Sequence, residues 1–173
     1  AVDAVISVIG AALTPEPAAS KGFKIERTAY TLDGKKVDMQ SLAGGDAQVK
    51  QNDRFVMTVK ITSEEAGGRV MIVDRLPAGF EIENPRLVES GSIKGLDFIK
   101  STAQPEHTEF RDDRFTAAID RASDDKSVFT VAYIVRAVSP GKYVLPQAYV
   151  EDMYNPSRYG RTGTGTVEVR AAK

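Results

Sequence analysis

Apolar residues recur with a period of two along most of this chain, the mark of strands with one face buried. In "RFVMTVKIT", Phe55, Met57, Val59 and Ile61 fall on one face, with Arg54, Thr58, Lys60 and Thr62 mostly on the other. "RFTAAIDR" repeats the pattern, Phe115, Ala117 and Ile119 inward against Arg114, Thr116 and Asp120 outward. In "SVFTVAYIVRAV", Phe129, Val131, Tyr133 and Val135 share one face while Val128, Ile134 and Val138 crowd the other. Apolar residues on both faces predict a central strand whose second face is covered. "GKYVLPQAYVEDM" alternates too, but Pro146 cannot donate to a ladder and predicts an edge or a bulge. "GTGTVEVR" is a short final strand with Val167 and Val169 inward.

Turn residues fall between these runs where hairpins need them: "LDGK" at 32–35, "AGGD" at 43–46, "EAGGR" at 65–69, "LPAG" at 76–79 and "SPGK" at 139–142. The fold class that follows is all-β, an antiparallel β-sandwich of about 7–10 strands with at most a short helix. The one helical pattern is in "SIKGLDFIKS", where a short turn would align Ile93, Leu96 and Ile99. "LTPEPAASKG" reads as an extended linker. Ahead of it, Val2 to Ile9 is expected to be a strand added to the sandwich, the alternative being the tail of a preceding domain.

Composition narrows the function classes. Lys and Arg number 23 against 24 Asp and Glu, so no single-sign field favours nucleic acid or an anionic membrane as partner. No apolar stretch approaches the ~20 residues of a membrane-spanning helix, and insertion by this segment is not expected. Without cysteine there is no disulfide, thiolate metal site or cysteine nucleophile. The apolar start lacks a basic leader and carries Asp3, so it is not read as a signal peptide. Any export address is expected outside this chain.

Candidate chemistry is sparse. His107, the single histidine, stands in "PEHTEF" with no elbow-like serine motif, so no catalytic residue is assigned and the chain is read as not an enzyme. The paired aspartates of "FRDDRF" and "ASDDKS" tempt a calcium reading, but arginines flank the first and the second lacks a turn glycine at the needed offset. Salt-bridged turns account for both. "RTGTGT" has glycines but no following helix to hold a phosphate. No metal or cofactor is expected. One feature stands apart: in "AYVEDMYNPSRYGRTG", Met153 and Tyr154 sit at a turn made by Asn155 and Pro156, where large side chains ordinarily meet solvent and gain nothing from the hydrophobic effect.

"VDRLPAGFEIENPRL", "EHTEFRDDRFTAAI", "YIVRAVSPGKYVLPQAYVEDMYNP" and "GRTGTGTVEV", in this order and spacing, resemble the C-terminal macroglobulin-like domain of bacterial alpha-2-macroglobulins, a fold akin to fibronectin III. The lead-in "VISVIGAALTPEPAASKGFKIERTAYTLDGKKVD" resembles the chain that enters this domain from the thioester domain. The resemblance implies residues 1–21 as a strand and Pro-rich lead-in and residues 22–173 as the β-sandwich domain. It implies a periplasmic, broad-spectrum endopeptidase inhibitor that traps proteases, tethered to the inner membrane by an N-terminal lipid that lies outside this chain. Target proteases would be met through the full-length protein. The partner implied for this domain is the thioester domain of the same parent chain, whose reactive bond is shielded from water until activation. Met153 and Tyr154 match the family's shielding pair, with Asp152, Asn155 and Pro156 as the supporting turn. The residues alone leave two other readings open: Tyr154 packed back on its own sheet as a corner tyrosine, and the chain as a generic immunoglobulin-like or fibronectin-like module of a cell-envelope adhesin or scaffold.

Overall fold

The computed structural model describes residues 3–10, 13–37, 49–85, 87, 93–94, 96–99, 103–125 and 127–172. Its strands are β1 (Ala19–Lys21), β2 (Phe23–Thr31), β3 (Lys36–Val37), β4 (Val49–Lys50), β5 (Arg54–Ser63), β6 (Gly68–Arg75) and β7 (Phe80–Glu83), followed by β8 (His107–Phe110), β9 (Arg114–Arg121), β10 (Val128–Ala137), β11 (Gly141–Leu145), β12 (Ala148–Asp152), β13 (Tyr159–Arg161) and β14 (Gly165–Arg170). One sheet has the order β1-β13-β12-β6-β9-β8, a second β3-β2-β5-β10-β7, and a small third β11-β14-β4. The all-β architecture agrees with the alternation. The strands outnumber the expectation because pieces of two or three residues, such as β3, β4 and β13, are too short to show a period. Among the described residues all strand pairs are antiparallel except β4 with β14, Val169 beside Val49, and one isolated bridge, Gly22 with Tyr159, is parallel as well.

The inward residues read from the sequence are those that meet in the core. Phe55, Met57, Val59 and Ile61 of β5 and Phe129, Val131, Tyr133 and Val135 of β10 pack against Val70, Ile72, Phe115, Ala117, Ile119 and Val150 of the facing sheet. The second face of β10 is covered only in part: Ile134 is buried beside its register partner Val56, while Val128 is exposed.

Four expectations differ from the structure. Residues 3–10 form no strand and are exposed, since no described strand offers them a partner; the favoured added strand at Val2 to Ile9 is not seen in that segment, and Val2 itself lies outside the described residues. The lead-in instead contributes β1, pairing Ala19–Lys21 with β13. "SIKGLDFIKS" shows successive turns, Leu96 N donating to Ile93 O and Ile99 N to Leu96 O, with no helix among its described residues. The run around Pro146 is two strands in two sheets, β11 and β12, because the missing N–H ends one ladder. The turns at 65–69, 76–79 and 139–142 carry the chain from one sheet to another, so of the four expected hairpins that fall among the described residues only "LDGK" joins paired strands, β2 and β3. "AGGD" lies outside the described residues.

A charged group ties the two large sheets. Arg27 of β2 reaches across to Asp74 of β6 at 2.6 Å and donates its second terminal nitrogen to Pro146 O at 2.8 Å. The Tyr133 hydroxyl donates to the other Asp74 oxygen at 2.7 Å. The Arg27 and Asp74 side chains are 7% and 0% exposed, so the pair depends on the partners that both terminal nitrogens of Arg27 and both oxygens of Asp74 find. Burial first, and then the neighbouring carboxylate, push the Tyr133 phenol far up and keep it a donor.

Candidate functional site: the turn between β12 and β13

β12 and β13 form a hairpin, Tyr149 beside Arg161 and Glu151 beside Tyr159, and its tip is the segment 153–158. Alternation along β12 turns Ala148, Val150 and Asp152 inward. Asp152 is therefore a carboxylate at the core-facing end of a strand, and it is put to use immediately. Its Oδ1 accepts from the backbone N–H of Tyr154 at 2.9 Å and of Asn155 at 3.0 Å, an Asx arrangement that turns the chain. Pro156 fixes the next bend, Arg158 N donating to Asn155 O at 2.9 Å, and the Ser157 hydroxyl donates to Asn155 Oδ1 at 2.6 Å. Met153 N donates to Arg69 O at 2.8 Å, so the ladder with β6 runs one residue past the strand.

The far side of the carboxylate is held by Arg158. Its Nη1 lies 3.2 Å from Asp152 Oδ2 and 3.2 Å from Glu65 Oε2, in the turn that leads from β5 to β6. The guanidinium stands over the Phe23 ring, 5.0 Å from its centroid. Gly68, at φ +94°, brings its backbone beside Asp152 Oδ2, where only glycine is at ease.

This scaffold presents the two apolar side chains outward. Met153 is 46% exposed and Tyr154 78%. Tyr154 does not pack on its own sheet, which decides against the corner reading. Corner-type bonds belong to Tyr143, whose hydroxyl donates to Ser139 O and Pro140 O. All five residues singled out from the sequence, Asp152 to Pro156, thus share one turn. Arg158, Glu65 and Phe23 were missed; the arginine two residues after Pro156 was the available signal, whereas nothing local marks the other two.

Other candidates dissolve into surface structure. His107 is exposed at an edge, 3.8 Å from Glu109. Asp113 pairs with Arg114, and Asp125 accepts from Ala122 N to close a turn. Among the described residues no group of His, Asp or Glu is placed to hold a metal ion, and no helix is long and apolar enough to cross a membrane.

Comparison with known proteins gives this geometry a context. The family described as bacterial alpha-2-macroglobulin MG10 domain matches residues 22–157. The alpha-2-macroglobulin of Escherichia coli is 35% identical over 146 residues, which are 80% of this chain and 8% of that protein. That of Xylella fastidiosa is 35% identical over 150 residues, 83% of this chain and 8% of the relative. This chain thus spans under a tenth of either relative's length. Among solved structures, the native E. coli alpha-2-macroglobulin superposes with a TM-score of 0.76 at 30% identity, covering 93% of this chain and 10% of that one. Salmonella alpha-2-macroglobulin reacted with methylamine gives 0.74 at 30% identity, covering 91% and 10%. An E. coli structure running from domain MG7 to the C-terminus gives 0.75 at 30% identity, covering 91% and 25%. The chain belongs to the bacterial alpha-2-macroglobulin MG10 domain family.

Proposed function

We propose that this chain is the non-catalytic C-terminal domain of a periplasmic protease-trapping alpha-2-macroglobulin, and that it docks on and shields the thioester domain of the same parent until activation. Residues 1–21 are then the lead-in from that domain and residues 22–173 the sandwich, in a parent anchored by a lipid at its own N-terminus. The observation that carries the reading is the exposure of Met153 and Tyr154 on a turn whose backbone is held by the buried Asp152. A polarizable thioether adapts to an irregular pocket, and a phenol ring makes a flat apolar cover with one polar edge. Both side chains are held out at little ordering cost because the Asx bonds and Pro156 set the backbone beforehand. Excluding water protects a bond whose main competitor is hydrolysis. The relatives supply the activation chemistry: an E. coli alpha-2-macroglobulin is described as activated by porcine elastase, and a Salmonella one as reacted with methylamine.

Burying each side chain contributes about 1.5–3 kcal/mol at most. Losing 1–2 kcal/mol of it changes an open-to-closed ratio roughly 5- to 30-fold. In a parent that carries the thioester cysteine, Tyr154→Ala is expected to speed methylamine uptake and free-thiol release without lowering the melting temperature. Tyr149→Ala, in the neighbouring strand, controls for general damage. A wild-type rate for Tyr154→Ala would reject the shielding role.

A further inference from the structure

We infer that Arg158 is the positioning residue of the Met153–Tyr154 turn, setting where the two side chains point by clamping the Asp152 carboxylate to the β5–β6 turn. The inference rests on the shielding reading for its consequence, but not for its geometry. Asp152 uses Oδ1 for the two amides at the tip and Oδ2 for Arg158 Nη1 at 3.2 Å, so the guanidinium fixes the plane of the carboxylate that the tip hangs from. The same nitrogen meets Glu65 at 3.2 Å, a residue from a turn distant in sequence. The Arg158 backbone closes the loop as well, its carbonyl accepting from Asp152 N at 3.1 Å and its N–H donating to Asn155 O at 2.9 Å. One residue therefore grips the hairpin through both main chain and side chain.

The rest of the guanidinium is spent on fit. Nε and Nη2 are buried with no hydrogen-bond partner, and the plane stands over Phe23 beside Gly22, where a Cβ would come within 3.1 Å of Nε. Two buried donors without acceptors are a cost that an apolar residue would avoid. A simply stabilising position would be filled more cheaply. What this arginine supplies, and an apolar side chain cannot, is a charged bridge of fixed direction between Asp152 and Glu65.

The test uses the full-length protein that carries this chain, with hydrogen exchange followed by mass spectrometry on a peptide covering 151–158 and a reference peptide covering 69–75. Arg158→Leu is expected to raise exchange at 151–158 about tenfold or more while the β6 peptide keeps its wild-type rate, since a charge-assisted bond to the carboxylate is lost. Arg158→Lys, which keeps the charge but not the guanidinium plane seated over Phe23, should fall between. If Arg158→Leu does not fold, Glu65→Gln supplies the same readout with a smaller rise. An unchanged 151–158 peptide, or an equal rise in both peptides, overturns the inference. Methylamine uptake separates it from the shielding reading. If Arg158→Leu loosens the tip while Tyr154→Ala leaves uptake at the wild-type rate, positioning stands and shielding fails. If Tyr154→Ala raises uptake and Arg158→Leu alters neither uptake nor exchange, shielding stands and the positioning role is wrong.

Discussion

Two arginine–aspartate pairs in this domain use the same chemistry for different ends. Arg27 and Asp74 meet at 2.6 Å in the interior, with side chains 7% and 0% exposed. Arg158 and Asp152 meet at 3.2 Å at the rim of the sandwich, 15% and 9% exposed, and share the guanidinium with the open Glu65. The interior pair joins the two large sheets and is completed by Tyr133 and the Pro146 carbonyl. Removing one partner there strands a charge in low dielectric. At the rim Arg158 keeps a second carboxylate, the exposed Glu65, when Asp152 is removed, so the pair adds less to stability, and its effect is the direction it gives a turn. Location relative to the core therefore decides whether an ion pair is read in stability or in geometry.

The largest effect expected is from Asp74→Ala, which leaves Arg27 buried without its counterion and should cost about 3–5 kcal/mol in urea denaturation. Asp152→Ala should cost clearly less, about 1–2 kcal/mol, with the excess mobility confined to the tip. Equal losses for the two would break the comparison. Next is Gly160→Ala, since a Cβ at that position would stand 2.4 Å from the Phe23 carbonyl oxygen. Backbone cannot give way as a side chain does, so a loss of about 1–3 kcal/mol and weaker seating of β13 on β2 are expected by thermal melting.

Tyr133→Phe sharpens the interior half of the comparison by removing one bond to Asp74, at about 1–3 kcal/mol. It also carries a pH signature. Burial, then Asp74, raise the Tyr133 pKa in the folded state. Its contribution is thus complete below the unfolded tyrosine value of about 10 and is lost as pH rises beyond it toward the folded value. Urea midpoints of wild type should fall in that alkaline window more steeply than those of Tyr133→Phe, and parallel curves would contradict the assignment. The smallest stability effect is expected for Tyr154→Ala, within about 0.5 kcal/mol, because the ring is exposed and removes no packing. A larger loss in the isolated domain would mean that the ring supports its own sheet.

Much of this architecture was legible from local pattern. The inward faces of β5, β9, β10 and β14 follow from alternation, because the strand period is two and a buried face must be apolar. The prominence of Met153 and Tyr154 was legible too, since "NP" marks a turn and large side chains at a turn are out of place. Parity even places Arg27 inward, between Ile25 and Ala29 on β2. What parity cannot name is the partner. Asp74, 47 residues away on the other sheet, is fixed only when the two sheets face each other. Likewise Glu65, from the β5–β6 turn, and Phe23, from the start of β2, reach Arg158 across the fold, and no spacing announces that meeting. Turn residues behave in the same way. The glycines at 65–69 and the "LPAG" at 76–79 say that the chain bends, but whether it returns to the same sheet or crosses to the other depends on which strand pairs next. Alternation and turn chemistry are properties of a few neighbouring residues and are written in the sequence. Pairing between sheets, and the clamp on the tip, arise from contacts across the packed core, where many distant residues share one space and the tertiary structure alone decides who meets whom.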